Sequence, residues 1–291
     1  VNEDKLVEKT YPNGAKVKYG LRHFNPGYLS RTGQYSIDKW RETLPCRFHN
    51  DPDSQPVLKE YPDVTGGMVL QGATSLSHNI HGLVRPMNSC WSEGKIRKMS
   101  GVPDLWKILH AICLPKIKTC KYVRLVHYNG TERCGASVPD FHIHLLMEPD
   151  PDELFDLETE LEMVEEFRKS KMALLFAGHI LAVVESIHQV GQCFFVQTDD
   201  KPINMENLSF AIYTIIRLYS KAFANTAPGK EGLPPDFQLM LEFREGRLWW
   251  GSFTPQLAGV GAEQCCGIRM GPTPHQWTPK ETLQLLRLAN A

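Results

Sequence analysis

The stretch Asn129-Gly130-Thr131-Glu132-Arg133-Cys134-Gly135-Ala136-Ser137-Val138-Pro139-Asp140-Phe141-His142-Ile143-His144-Leu145-Leu146 decides the fold. Before it, Lys121 to His127 alternates and is partly β-branched, so it reads as a strand. Phe141 to Met147 reads as a second strand, and the turn at 128–139 makes the two an antiparallel pair. Successive strand side chains point to opposite faces. His142 and His144 therefore share one face, while Phe141, Ile143 and Leu145 turn toward a core. Upstream, Leu105, Ile108, Leu109 and Ile112 recur at helical spacing within Pro103 to Leu114. Helix, strand, turn and strand make an α+β unit.

The rhythm returns in the second half. Ile180 to Val184 and Cys193 to Gln197 read as strands, and Asn204 to Phe223 as a helix with Leu208, Ile212, Ile215 and Leu218 on one face. Phe237 to Phe243 and Leu248 to Phe253 then form a hairpin about Glu245-Gly246. Thr278-Pro279-Lys280-Glu281 is a capping box that starts a final helix through Leu288. Between the halves, Glu148-Pro149-Asp150-Pro151-Asp152 breaks the strand. The acidic run after it carries Leu154, Leu157, Leu161, Val164 and Phe167 at three- and four-residue spacing, so its acids read as the solvated face of an amphipathic helix. The expected modules are 1–148 and 149–291. Gly66 to Gln71 and Gly82 to Arg85 read as strands, residues 1–65 as short strands in long loops, and Met172 to Val184 as a helix end running into a strand.

The 32 Lys and Arg against 33 Asp and Glu leave a net charge of -1, so no global field draws the chain to nucleic acid or an anionic membrane. No apolar run approaches the roughly 20 residues that span a bilayer. The N-terminus Val1-Asn2-Glu3-Asp4-Lys5 does not read as a signal peptide. The eight scattered cysteines then read as mostly reduced thiols, and the expected compartment is cytoplasmic.

Gly130 and Gly135 permit backbone conformations closed to other residues, and the N–H groups of such a turn can converge on an anion. Ser137 adds a hydroxyl and Asn129 an amide, which makes a phosphate seat. His142 beyond it is a candidate nucleophile, because an imidazole has an unperturbed pKa of about 6.5. A phosphoryl-imidazole splits one difficult displacement into two. On spacing alone, a metal site and a pair of partly buried strand histidines stay open beside that reading.

The segment resembles the histidine-triad superfamily of nucleotide hydrolases and transferases, in particular its galactose-1-phosphate uridylyltransferase branch. That branch carries Asn, an eight-residue step to Ser, then x-Pro-His-Pro-His-x-Gln. Asn129, Ser137, Pro139, Asp140, His142 and His144 stand at the corresponding positions. The resemblance implies that His142 is the covalent nucleophile and that Asn129 and Ser137 contact phosphate. It implies two fused histidine-triad-like modules, each an antiparallel sheet with packed helices, and a homodimer. The implied activity is nucleotidyl transfer or phosphorolysis on a nucleotide-sugar or related phosphoanhydride. His144 departs from the transferase Gln and matches the hydrolase branches, which keeps a nucleotide hydrolase open. Asp140 departs from the first family histidine, which keeps a non-catalytic nucleotide-binding or scaffold protein open.

In the transferases that first histidine binds a structural zinc. The resemblance extends to Cys46-Arg47-Phe48-His49 and to Ser75-Leu76-Ser77-His78, so Cys46, His49, His78 and Asp140 form the implied ligand set, with His81 the alternative to His78. Zinc accepts thiolate, imidazole and carboxylate donors. No second metal is expected. Arg85, Lys39 and Arg41 are candidates for contacts with phosphate, and Trp249, Trp250 and Phe253 are candidates for stacking on a base, although aromatic strand residues more often serve a core. His127 closes a strand beside the turn, as a pocket or a structural residue.

Overall fold

The computed structural model describes residues 6–10, 16–20, 56–73, 78–88, 101–129, 141–149, 157–184, 193–226, 236–256 and 279–290. In chain order the strands are β1 (Leu6–Thr10), β2 (Lys16–Gly20), β3 (Val57–Tyr61), β4 (Met68–Ala73), β5 (His78–Pro86), β6 (Tyr122–Asn129), β7 (Ile143–Pro149), β8 (Ala173–Phe176), β9 (His179–Val183), β10 (Cys193–Gln197), β11 (Asp236–Arg244) and β12 (Arg247–Gln256). The helices are α1 (Val102–Ile108), α2 (Leu114–Thr119), α3 (Leu157–Lys169), α4 (Met205–Thr226) and α5 (Pro279–Asn290). Strands β1 and β2 pair with each other, and the other ten form one antiparallel sheet in the order β3-β4-β5-β7-β6-β11-β12-β10-β9-β8.

That order contains a repeat. Three strands, a helical segment and a hairpin (β3, β4, β5, α1–α2, β6, β7) recur as β8, β9, β10, α4, β11, β12. Both sets pair in the same pattern, and they meet where β6 lies against β11. The architecture is α+β, with helices packed on an antiparallel sheet, as the sequence predicts.

Alternation sorts the side chains to two faces. On one, Val123, Leu125, Ile143, Leu145, Leu239 and Leu241 pack beneath α1, α2, α4 and α5 in the larger core. On the other, Val126, Leu146, Met240, Trp250, Phe194 and Val196 form a second cluster with Met163, Val164 and Phe167 of α3. Phe167 stacks on Phe194 with ring centroids 4.4 Å apart. Glu162 and Glu165 of α3 are exposed, as expected, but so is Leu161, and the buried contacts are made by Met163, Val164 and Phe167; Leu154 and the side chain of Leu157 lie outside the described residues.

The helical run upstream of β6 reaches Thr119, beyond the predicted end at Leu114. Between α1 and α2 it widens into a π turn at Leu109–Cys113. Pro115 has no N–H to donate to the preceding turn and its ring crowds that turn's carbonyl, and a wider turn relieves both. The expectation for Met172 to Val184 is corrected. It forms the hairpin β8–β9, with Phe176 opposite His179. Ala177 and Gly178 carry φ of 49° and 72°, the two positive values of a tight hairpin turn. Among the described residues no helix is long and apolar enough to cross a membrane.

Candidate active site

His142 immediately precedes β7 and is 2% exposed. His144, two residues on, lies opposite Val126 of β6 and Leu83 of β5. The two imidazoles share a face as the alternation predicts, with centroids 5.0 Å apart and planes at 68°. A third ring joins them from β5. His81 pairs with Leu146, so it sits diagonally from His144. Its Nε2 lies 2.9 Å from Nδ1 of His144, and the two rings stack at 5.2 Å. His81, His144 and His142 thus form a row with His144 in the middle. Burial, then His142, His81 and His127, holds His144 well below the ordinary imidazole value, so the middle ring is neutral.

Behind this row, His127 answers the question the sequence leaves open. Its Nδ1–H donates to the backbone carbonyl of His142 at 2.8 Å, across the β6–β7 pair. Its ring lies on the helix-covered face, 4.9 Å from Phe141 and 6.1 Å from Phe237. Burial pushes its pKa down to about 4, against the opposing effect of that hydrogen bond. His127 therefore serves as a neutral bracket for the backbone of His142. The signal was present in the sequence, because Val123, Leu125 and His127 are in phase.

Arg85 shares the face of His81 and His144, and is buried. Its Nε donates to Oε1 of Gln71 at 2.7 Å, and Nη1 to the carbonyl of Pro86 at 2.9 Å. Further along this face, Arg124 of β6 bonds Glu242 of β11 through Nε and donates from Nη2 to the Tyr122 hydroxyl at 2.8 Å.

The structure therefore brings His142, His144 and His81 together and sets Arg85 on the same face. Asn129 ends β6 opposite Phe237, and its backbone alone is described. Gly130, Gly135, Ser137 and Asp140 lie outside the described residues, as do Cys46, His49, Lys39 and Arg41. Of the implied zinc set only the backbone of His78 is described, opposite Pro149 at the start of β5. Among the described residues no group of three His, Cys, Asp or Glu side chains is arranged to hold a metal. Of the base-stacking candidates, Trp250 and Phe253 are buried within the cores, the reading that aromatic strand residues favour, and the half-buried Trp249 lies under the guanidinium of Arg244. Aromatic bulk on both sheet faces is what closes these cores.

No family model matches the sequence. No curated protein matches it either. Solved structures do match. A galt-like protein from Arabidopsis thaliana aligns at a TM-score of 0.52 with 15% identity, covering 80% of this chain and 87% of its own. An ADP-glucose phosphorylase from Arabidopsis thaliana with bound ADP-glucose aligns at 0.51 with 12% identity, covering 97% and 98%. A uridylyltransferase mutant aligns at 0.50 with 13% identity, covering 72% and 77%. At these identities the likeness is one of fold, and the chain has the fold of these uridylyltransferase and phosphorylase structures.

Proposed function

We propose that the protein is a nucleotidyltransferase or phosphorylase that acts on a nucleotide-sugar or related phosphoanhydride through a nucleotidyl-His142 intermediate. The observation that carries this reading is the position of His142. It stands at the mouth of β7, on one face with His144, with its carbonyl fixed from behind by His127. An imidazole nitrogen of His142 attacks the α-phosphorus. The P–O bond to the leaving group breaks, its electron pair stays on the departing oxygen, and a P–N bond forms. An acceptor oxygen, from inorganic phosphate or a sugar phosphate, then displaces His142 and restores the free imidazole. Asn129, Ser137 and the backbone N–H groups of the turn with Gly130 and Gly135 are assigned to the phosphoryl oxygens, and His144 to the phosphoryl or departing oxygen. Arg85, held by Gln71, is assigned to charge balance beside them.

The same reading includes modules 1–148 and 149–291, a homodimer and a cytoplasmic setting. It includes a structural zinc on Cys46, His49, His78 and Asp140, a donor set of one thiolate, two imidazoles and one carboxylate that suits tetrahedral zinc. That metal takes no part in the displacement.

The test is incubation with a panel of nucleotide-sugars and dinucleoside polyphosphates, followed by mass spectrometry for an acid-labile nucleotide adduct on His142. Wild type should trap one, and His142→Ala should trap none and turn nothing over. Full activity in His142→Ala would overturn the mechanism. A nucleotide hydrolase is the second reading, favoured by His144 where the resembled transferases carry Gln. Turnover that needs no phosphate or sugar-phosphate acceptor would support it.

A further inference from the structure

We propose that the second half of the sheet holds a buried binding site for one water molecule, which donates one hydrogen to Nε2 of His179 on β9 and the other to Oε1 of Gln197 on β10. The site lies in the opposite half of the sheet from the histidine row, and it does not rest on the function proposed above.

Gln197 and His179 stand directly opposite each other in the β9–β10 ladder. They are in phase with Phe195, Leu181 and Val183, so they face the larger core, at 8% and 2% exposure. Their existing partners fix where the hydrogens are. Nδ1 of His179 lies 2.8 Å from the carbonyl of Ala177, which can only accept, so Nδ1 carries the proton. Nε2 of the neutral ring is then a lone pair, and burial favours the neutral ring. The amide nitrogen of Gln197 donates to Oδ1 of Asp199 at 2.8 Å and to the carbonyl of Lys201 at 2.9 Å. A carboxylate and a carbonyl accept both of its hydrogens, which leaves Oε1 as an acceptor. Nε2 and Oε1 are both buried without a hydrogen-bond partner among the described residues.

Two acceptors cannot bond each other, and leaving either without a donor is costly. The pair therefore selects one small group with two hydrogens. Opposed side chains of an antiparallel pair are about 4.5–5.5 Å apart at Cβ. Two hydrogen bonds of about 2.8 Å that meet at a tetrahedral angle span about 4.6 Å, so one water matches the spacing. A metal ion would need further ligands, and among the described residues no three His, Cys, Asp or Glu side chains are grouped to supply them. A buried water usually makes about three bonds, so it also needs a donor for its own lone pair. The Thr282 hydroxyl is a donor of that kind: it is buried without a partner on α5, the helix that packs on β9. The bridge reinforces a link between two turns that Thr198 already makes, since its N–H and its hydroxyl both donate to the carbonyl of Gly178 at 3.0 Å.

The experiment pairs a crystal structure of the full chain, at a resolution that shows ordered water, with long-range ¹H–¹⁵N spectra of ¹⁵N-histidine-labelled protein at neutral pH. The expected result is density for one water within about 3.2 Å of both Nε2 of His179 and Oε1 of Gln197. The spectra should show His179 protonated on Nδ1 and bare on Nε2. Magnetisation should also pass through space from a bound water to the His179 ring protons. A dry site with both atoms uncovered would overturn the proposal. So would His179 protonated on Nε2, or density with the anomalous signal of a metal ion. Without crystals the spectra decide, and absence of the water-to-ring transfer counts against the site.

Discussion

Replacing Arg124 by methionine would leave Glu242 as a buried carboxylate without the guanidinium that pairs with it. Arg124 is 8% exposed and Glu242 1%. The pair joins β6 to β11, the strand contact through which, among the described residues, the two repeats share a sheet. Glu242 accepts from Arg124 through Oε1, and its Oε2 is buried without a hydrogen-bond partner. The carboxylate thus already has one unsatisfied oxygen, and the substitution would add a second. Glu242 also pulls the guanidinium pKa up against the cost of its burial. Breaking a buried pair from one side costs about 3–5 kcal/mol, whereas replacing both partners with apolar groups of similar volume is neutral or stabilising by about 1–4 kcal/mol. Arg124→Met should therefore lose about 3–5 kcal/mol, and Arg124→Met with Glu242→Met should regain most of that loss. The assay is urea unfolding at neutral pH, followed by tryptophan fluorescence, because Trp250 lies opposite Glu242 in the ladder. A loss under about 1 kcal/mol in the single variant, the value of an exposed pair, would refute the account of the seam.

His127 should make the fold acid-sensitive. Its folded pKa of about 4 lies below the unfolded imidazole value of 6.5, so from pH 6.5 down to 4 only the unfolded chain takes up the proton. Stability should fall across that window by at most about 3 kcal/mol and level below it, with His144 and His179 adding in the same direction. Denaturant titrations at pH 7.5 and 5 should show a smaller drop in His127→Gln. A Cβ at Gly251 would lie 2.4 Å from Cζ of Phe195, a fully buried ring, so Gly251→Ala should cost about 3 kcal/mol in the same assay. Oδ1 of Asn204 accepts from the N–H groups of Glu206 and Asn207 at 2.9 and 3.0 Å, so Asn204→Ala should cost about 1 kcal/mol and lower the melting temperature by a few degrees.

Strand period and helix spacing were enough to locate most of the sheet, because its central strands are short apolar, β-branched runs bounded by turn residues, although cores cover both of their faces. The exception is Met172 to Val184, where an apolar run has no clear period and the reversal rests on two backbone angles at Ala177 and Gly178. The shared face of His142 and His144 was legible too, since it depends only on parity. The partners of that face were not. His81 reaches His144 because β5 lies beside β7 with Leu83 opposite His144, and no local pattern specifies that register. Arg85 read as a phosphate contact because it is cationic, but its bond to Gln71 depends on the β4–β5 pairing.

The two halves share a topology, yet the same sheet face differs chemically between them. In the first half it carries His81, Arg85, His142 and His144. In the second it carries Phe194, Val196 and Trp250, closed by Met163, Val164 and Phe167 of α3. A phosphate placed there would have to lose its hydration against apolar side chains, which is prohibitive for an unpaired charge. The segment that seals this face follows β7 directly, since α3 is the next helix and packs on β9 and β10. The strand that presents the histidines thus leads into the helix that buries the matching surface of the repeat. That continuity keeps the cluster of His81, Arg85, His142 and His144 to the first half, while the buried Glu242 that the second half brings to this face is taken up by Arg124. It leaves the second half the work of holding β11 against β6, behind the strand that carries His127.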